Sequence, residues 1–117
     1  MTVGRGNELP ALDAAAAQRI ARAIADPSRY EILRTLAASA CDTPCSVVRN
    51  CVDVAPPTLS HHMKELRDAG LVDEEHVGRI VRYTLRRDVF RAFTAFLQQT
   101  LISPEPCDSP DGAMPVK

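Results

Sequence analysis

The stretch Pro56-Pro57-Thr58-Leu59-Ser60-His61-His62-Met63-Lys64-Glu65-Leu66-Arg67-Asp68-Ala69-Gly70 decides how this chain is read. Wound at about 100° per residue, it sets Leu59, Met63, Leu66 and Gly70 on one face and Pro57, Ser60, His61, Lys64 and Asp68 on the other. The first face can pack on a domain. The second is short, polar and rich in hydrogen-bonding groups. A helix that enters the major groove needs that division, because its body must be held from behind while small donors and acceptors reach base edges and phosphates. Taken alone, the pattern fits an ordinary amphipathic helix with a solvated face better, so its neighbours decide.

Upstream, Asp53-Val54-Ala55-Pro56-Pro57 makes a turn, and before it a short helix carries Val47, Val48, Cys51 and Val52 on one side. Thr43-Pro44 reads as its cap and first residue, and Asp26-Pro27 repeats that signal for a longer helix with Ile32, Leu33 and Leu36 inward. Leu12, Ala16, Ile20 and Ile24 predict a first helix over about Ala11 to Ala25. Downstream, Gly70 supplies a helix stop. LVDEEH and IVRYTL then flank Val77-Gly78-Arg79, and the alternation of Val81, Tyr83 and Leu85 with Arg82 and Thr84 predicts a β-hairpin. Asp88 is placed to cap a last helix, from Val89 to about Leu101, that holds Phe90, Phe93 and Phe96.

The order is helix, helix, short helix, helix, hairpin, helix: a mainly α chain with a β-hairpin, the plan of a winged helix-turn-helix. Residues 1–10 read as a flexible leader, 11–101 as one domain and 102–117, rich in Pro, Ser, Asp and Gly, as a disordered tail. The last helix carries more apolar surface than one small domain covers, which predicts a homodimer with the alanine-faced first helix as the other contributor.

The 117 residues suffice for one compact domain, and 45% of them are apolar, enough for a real core. No apolar run reaches the roughly 18 residues that a membrane span needs, and the N-terminus lacks the pattern of a secretory signal, so a cytoplasmic protein is expected. Net charge is −1, which excludes a uniformly basic coat but not a local one. Arg79, Arg82, Arg86, Arg87 and Arg91 lie within thirteen residues that hold one acid, Asp88. No phosphate loop, nucleophile elbow or HExxH occurs, so an enzyme is not expected.

The segments ADPSRYEILRTLA, PPTLSHHMKELRDAGLV and GRIVRYTL together resemble the ArsR/SmtB family of winged-helix repressors over about Ile20 to Leu101. The resemblance implies a symmetric dimer built on the first and last helices. It also implies a near-palindromic double-stranded DNA operator read by the 56–70 helix, and repression until an effector, often a thiophilic metal ion, weakens DNA binding. It places Thr58, Ser60 and His61 near bases or phosphates. His62 is either a further contact or a packed histidine, and Lys64 either a phosphate contact or a solvated lysine. In the wing, Gly78 permits a tight turn with Arg79 at its tip. Arg79 and Arg82 are candidates for phosphate or minor-groove contact, or form a charged edge that discourages aggregation. Ala55 departs from the family, which often caps this helix with serine; alanine gives up about 1 kcal/mol, which Pro56 and Pro57 offset by fixing the first turn.

Cys41, Cys45, Cys51 and Cys107 are the candidate effector residues. Cys45, in the first turn of the third helix and four residues before Arg49, has surroundings that favour the anionic sulfur. Cys51 shares a face with Val47 and Val48 and fits a core position, while Cys107 rides on the tail. The C-x3-C-x5-C spacing is not a strong zinc signature. Three readings stay open: a soft metal(loid) ion such as arsenite, antimonite or cadmium bound as inducer; thiol oxidation or persulfide sensing; and cysteines that only pack. A function of another class, a winged helix that binds only protein, also fits the fold.

Overall fold

The computed structural model describes residues 10–104. Helix α1 (Ala14–Ala25) is followed directly by α2 (Pro27–Ala37). A two-residue strand β1 (Thr43–Pro44) leads into α3 (Cys45–Cys51) and α4 (Pro56–Asp68). The hairpin β2 (Val72–Val77) and β3 (Ile80–Leu85) precedes α5 (Arg87–Leu97), which continues as a π-helical turn over Gln98–Ile102. The three strands form one antiparallel sheet in the order β1-β3-β2. The leader up to residue 9 and the tail from 105, Cys107 included, lie outside the described residues.

The ends of the helices show why the chain breaks where it does. Asp13 caps α1 by accepting a bond from Ala16 N at 2.8 Å, so the helix starts three residues later than its periodicity predicts. Asp26 caps α2 through Arg29 N at 3.0 Å, with Pro27 as the first helical residue. At the end of α4, Gly70 takes φ +82°, Gly70 N donates to Arg67 O and Leu71 N to Leu66 O. That bond pair is a Schellman motif, and the fully buried Leu66 and Leu71 supply the apolar contact that accompanies it. In the hairpin, Val77 pairs with Ile80 across a two-residue loop in which Gly78 alone has positive φ, +62°, as a type II′ turn requires.

Two expectations fail at helix starts. Thr43-Pro44 is not a cap and first helical residue. Both are strand, paired with Tyr83 and Arg82, and α3 begins at Cys45 without a side-chain cap. The extended backbone of Pro44 serves the sheet better than the helix. Asp88 is not the cap of α5, which starts at Arg87; its carboxylate is engaged by Arg86 at 3.0 Å and sits in the first turn.

Ile20, Ile32, Leu36, Val48, Leu66 and Leu71 are the largest fully buried side chains, contributed by α1, α2, α3, α4 and the turn that follows it. The core therefore lies behind α4 and fixes it from its inner face. Val47, expected inward, is exposed, and in α3 Val48 carries the burial with Cys45, Cys51 and Val52 packed partly against the core. Each of the large buried side chains is worth about 1.5–3 kcal/mol relative to exposure.

Candidate nucleic-acid interface

Helix α4 divides as its sequence predicts. Leu59, Met63 and Leu66 are buried, while Thr58, Ser60, His61 and Lys64 are exposed. Ala55 and the two prolines bring the chain in without a side-chain cap, and Thr58 is the first helical residue with an N–H to offer. Lys64 Nζ lies 2.7 Å from Asp68 Oδ2, and His61 Nε2 lies 3.9 Å from Glu65 Oε2. The hydrogen bond and charge of Asp68 raise the Lys64 ammonium above its ordinary pKa, and Lys64 in turn lowers Asp68. Exposed pairs one turn apart are weak, so Lys64 can exchange its partner for a phosphate at little cost.

His62 does not join that face. It is 8% exposed and turns inward, with Arg29 Nη1 3.3 Å from its Nδ1 and Asp26 Oδ2 3.7 Å from its Nε2. Arginine only donates, so Nδ1 is the acceptor and the ring proton sits on Nε2. Arg29 also donates from Nε to Ala23 O at 2.9 Å and from Nη2 to Arg22 O at 3.3 Å. One guanidinium thus joins the end of α1, the start of α2 and the inner side of α4. Asp26 is held below the ordinary carboxylate value by its bond from the Arg29 backbone and by the nearby Arg29 charge, against the opposing effect of burial. Sequence reasoning found Asp26 as a cap but missed this anchor, because its partners lie 33 residues apart.

In the wing, Arg79 stands exposed at the hairpin tip. Arg82, grouped with it from sequence, is committed elsewhere: its Nη1 lies 3.0 Å from Asp42 Oδ1, and both side chains are one-third exposed. The pair fastens the loop before β1 to the hairpin, so Arg82 is a brace of the wing rather than a free cation. On the other face of the hairpin, Arg67 and His76 both engage Glu74. Burial pushes the Glu74 carboxyl up, but the bonds from His76 and Arg67 outweigh it and hold the group below its ordinary value.

Among the described residues the structure does not gather Cys41, Cys45 and Cys51 into one group. Cys41 is exposed in a loop, whereas Cys45 and Cys51 occupy opposite ends of α3, both half-buried. Among the described residues no three His, Cys, Asp or Glu side chains converge as a metal-binding group. Arg49 Nη1 does lie 3.4 Å from Cys45 Sγ, as the four-residue spacing predicts. Tyr83 is pushed up to about 12, first by burial and then by the adjacent Cys45 sulfur.

Along α1 and α5 an apolar surface remains uncovered. A groove of about 220 Å³ runs between them, lined in part by Ala17, Ala21, Phe93, Phe96, Leu97 and Leu101. Leu101 and Ile102 are 76% and 62% exposed. No helix among the described residues is long and apolar enough to cross a membrane.

Comparison with known proteins gives a consistent picture. A family model described as a helix-turn-helix domain matches residues 24–75. The chain is 34% identical over 83 residues to the HTH-type transcriptional regulator YceK of Bacillus subtilis (strain 168), covering 71% of this chain and 83% of that one. It is 27% identical over 70 residues to the transcriptional repressor SdpR of the same organism, covering 60% and 76% of the two chains. Among solved structures, the ArsR family transcriptional regulator RHA00566 superposes with a TM-score of 0.68 at 26% identity, over 77% of this chain and 91% of that one.

Proposed function

The chain belongs to the winged helix-turn-helix transcriptional regulators of the ArsR type, and from that premise we propose that it binds a near-palindromic operator as a homodimer and represses transcription until an effector acting at its cysteines releases it. The observation that carries this reading is the exposed row Thr58, Ser60, His61 and Lys64, backed by the buried Leu59, Met63 and Leu66. A polar row on a rigidly seated helix is what direct readout uses, and Arg79 at the wing tip supplies a cation for the flanking backbone. The same features disfavour a winged helix that binds only protein.

The apolar groove between α1 and α5 supports the dimer. Joined there about a two-fold axis, two copies would present their α4 helices about 34–36 Å apart, one turn of duplex. An effector at the thiols has one positioned residue, Cys45 beside Arg49. Because no three-sulfur set forms within the described residues, a soft ion would need a ligand from outside them. The isolated Cys45–Arg49 contact therefore favours a second reading, a repressor that responds to oxidation or persulfidation of that thiol.

The test is a duplex-binding assay by gel shift at low and high salt, with arsenite, antimonite, cadmium, peroxide and a persulfide donor added in turn. It is repeated on the serine variants of Cys41, Cys45, Cys51 and Cys107. Binding that falls steeply with salt is expected, together with loss of the effector response in Cys45→Ser. No binding to any duplex at low salt refutes the repressor. A full response in Cys45→Ser removes Cys45 as the sensor.

A further inference from the structure

A cleft of about 220 Å³ lies between α3 and the wing, with Cys45, Ser46 and Arg49 on one wall and Arg79, Ile80 and Val81 on the other. We infer that this cleft is a phosphodiester-binding site in which Arg49 and Arg79 grip a single backbone phosphate of the duplex from its two sides. The inference rests on the DNA-binding reading and adds to it a residue, Arg49, and a shared target.

The argument is electrostatic. Arg34, Arg67, Arg82 and Arg86 each lie within 4 Å of a carboxylate. Arg49 and Arg79 are among the arginines with no such partner in the described residues, and these two line the same cleft. The one side-chain hydrogen bond of Arg49 among the described residues goes to the Cys45 sulfur. Two uncompensated guanidinium groups on facing walls repel each other, and an anion between them removes that repulsion while accepting bonds from both. The exposed Ser46 adds a hydroxyl donor on the same wall. No aromatic ring lines the cleft to stack a base, and Ile80 and Val81 offer no polar group to read one. The geometry suits a phosphate and not a nucleobase. The wing arginine is then half of a clamp whose other jaw is the helix that precedes α4.

The experiment measures binding of a mixed-sequence 30-base-pair duplex across a salt series, by anisotropy, for the wild type, Arg49→Gln, Arg79→Gln and the double variant. Both side chains are exposed, and unchanged circular dichroism and thermal midpoints confirm the fold. Each single variant is expected to weaken binding. The double variant is expected to reduce the slope of log K against log salt by about 0.9 per subunit, the value for one phosphate, and not by about 1.8. A wild type that ignores the duplex defeats the DNA-binding reading itself. A wild type that binds while Arg49→Gln behaves identically defeats this inference alone, as does an additive loss of about 1.8 per subunit. In a parallel arm, inorganic phosphate without DNA is titrated against the arginine Nε–H resonances. Shifts at Arg49 and Arg79 only with duplex are expected, and saturation by millimolar phosphate would make the ligand a free anion and overturn the assignment to the backbone.

Discussion

Replacing Arg29 with methionine removes three contacts at once and keeps most of the side chain's volume. Its guanidinium donates to the carbonyls of Ala23 at 2.9 Å and Arg22 at 3.3 Å, and it faces Nδ1 of the buried His62 at 3.3 Å. Hydrogen bonds to a charged group contribute about 1.5–3 kcal/mol each when buried, and these are partly solvated, which puts their sum at about 2–4 kcal/mol. The larger part of the loss comes from groups left without partners: two carbonyls at the end of α1 and one ring nitrogen inside the domain. For a domain of this size such a change lowers the thermal midpoint by about 10–20 °C. The assay is urea and thermal unfolding followed at 222 nm, at one fixed protein concentration because dimerisation shifts apparent stability by mass action. Combined with His62→Leu in a double-mutant cycle, the pair should show a coupling above about 0.5 kcal/mol. A loss below about 0.5 kcal/mol for Arg29→Met, or additive single effects, refutes the view that this guanidinium holds α4 to the α1–α2 junction.

Arg79→Ala should weaken duplex binding in the same anisotropy assay, and an unchanged affinity across the salt series would count against a phosphate contact there. Leu101→Asp should raise the dimer dissociation constant by about tenfold or more in sedimentation, since Leu101 is 76% exposed in the single chain and a charge there harms only a covered surface. The Asp26 carboxyl is depressed in the folded state from its usual 3.8, so it stabilises the fold above that value and the stabilisation fades as pH falls through the ordinary carboxylate range. Asp26→Asn, which keeps a capping side chain, should therefore be less stable than the wild type at pH 6 and closer to it at pH 3; an equal gap at both pH values would disprove this.

What the sequence discloses and what it hides separate along one physical line. Features set by a few adjacent residues were legible: the Asp26-Pro27 helix start, the Gly70 stop, the Gly78 turn and the two faces of α4. Features set by distant partners were not. His62 stands about 60° from the inner stripe of α4, an angle that local periodicity leaves undecided, and its burial follows from Asp26 and Arg29. Arg82 looks as free as Arg79 until Asp42, 40 residues away, is seen to hold it. Strand β1 has two residues, too few for any alternation to show, and its proline mimics a helix start. The candidate interface was readable because it is one helix and one turn, whereas the cysteines needed a three-dimensional arrangement that spacing does not give.

The short strand β1 has a mechanical consequence. It zips the segment after α2 onto β3, and the Asp42–Arg82 pair rivets the same joint. Cys41 and Cys45 sit on either side of that joint, and Arg79 projects from the far end of the hairpin it secures. A chemical change at either thiol that bends the backbone must carry the hairpin along or tear the seam open. The wing and the loop are thereby one mechanical piece, joined by the β1–β3 pairing and the Asp42–Arg82 contact.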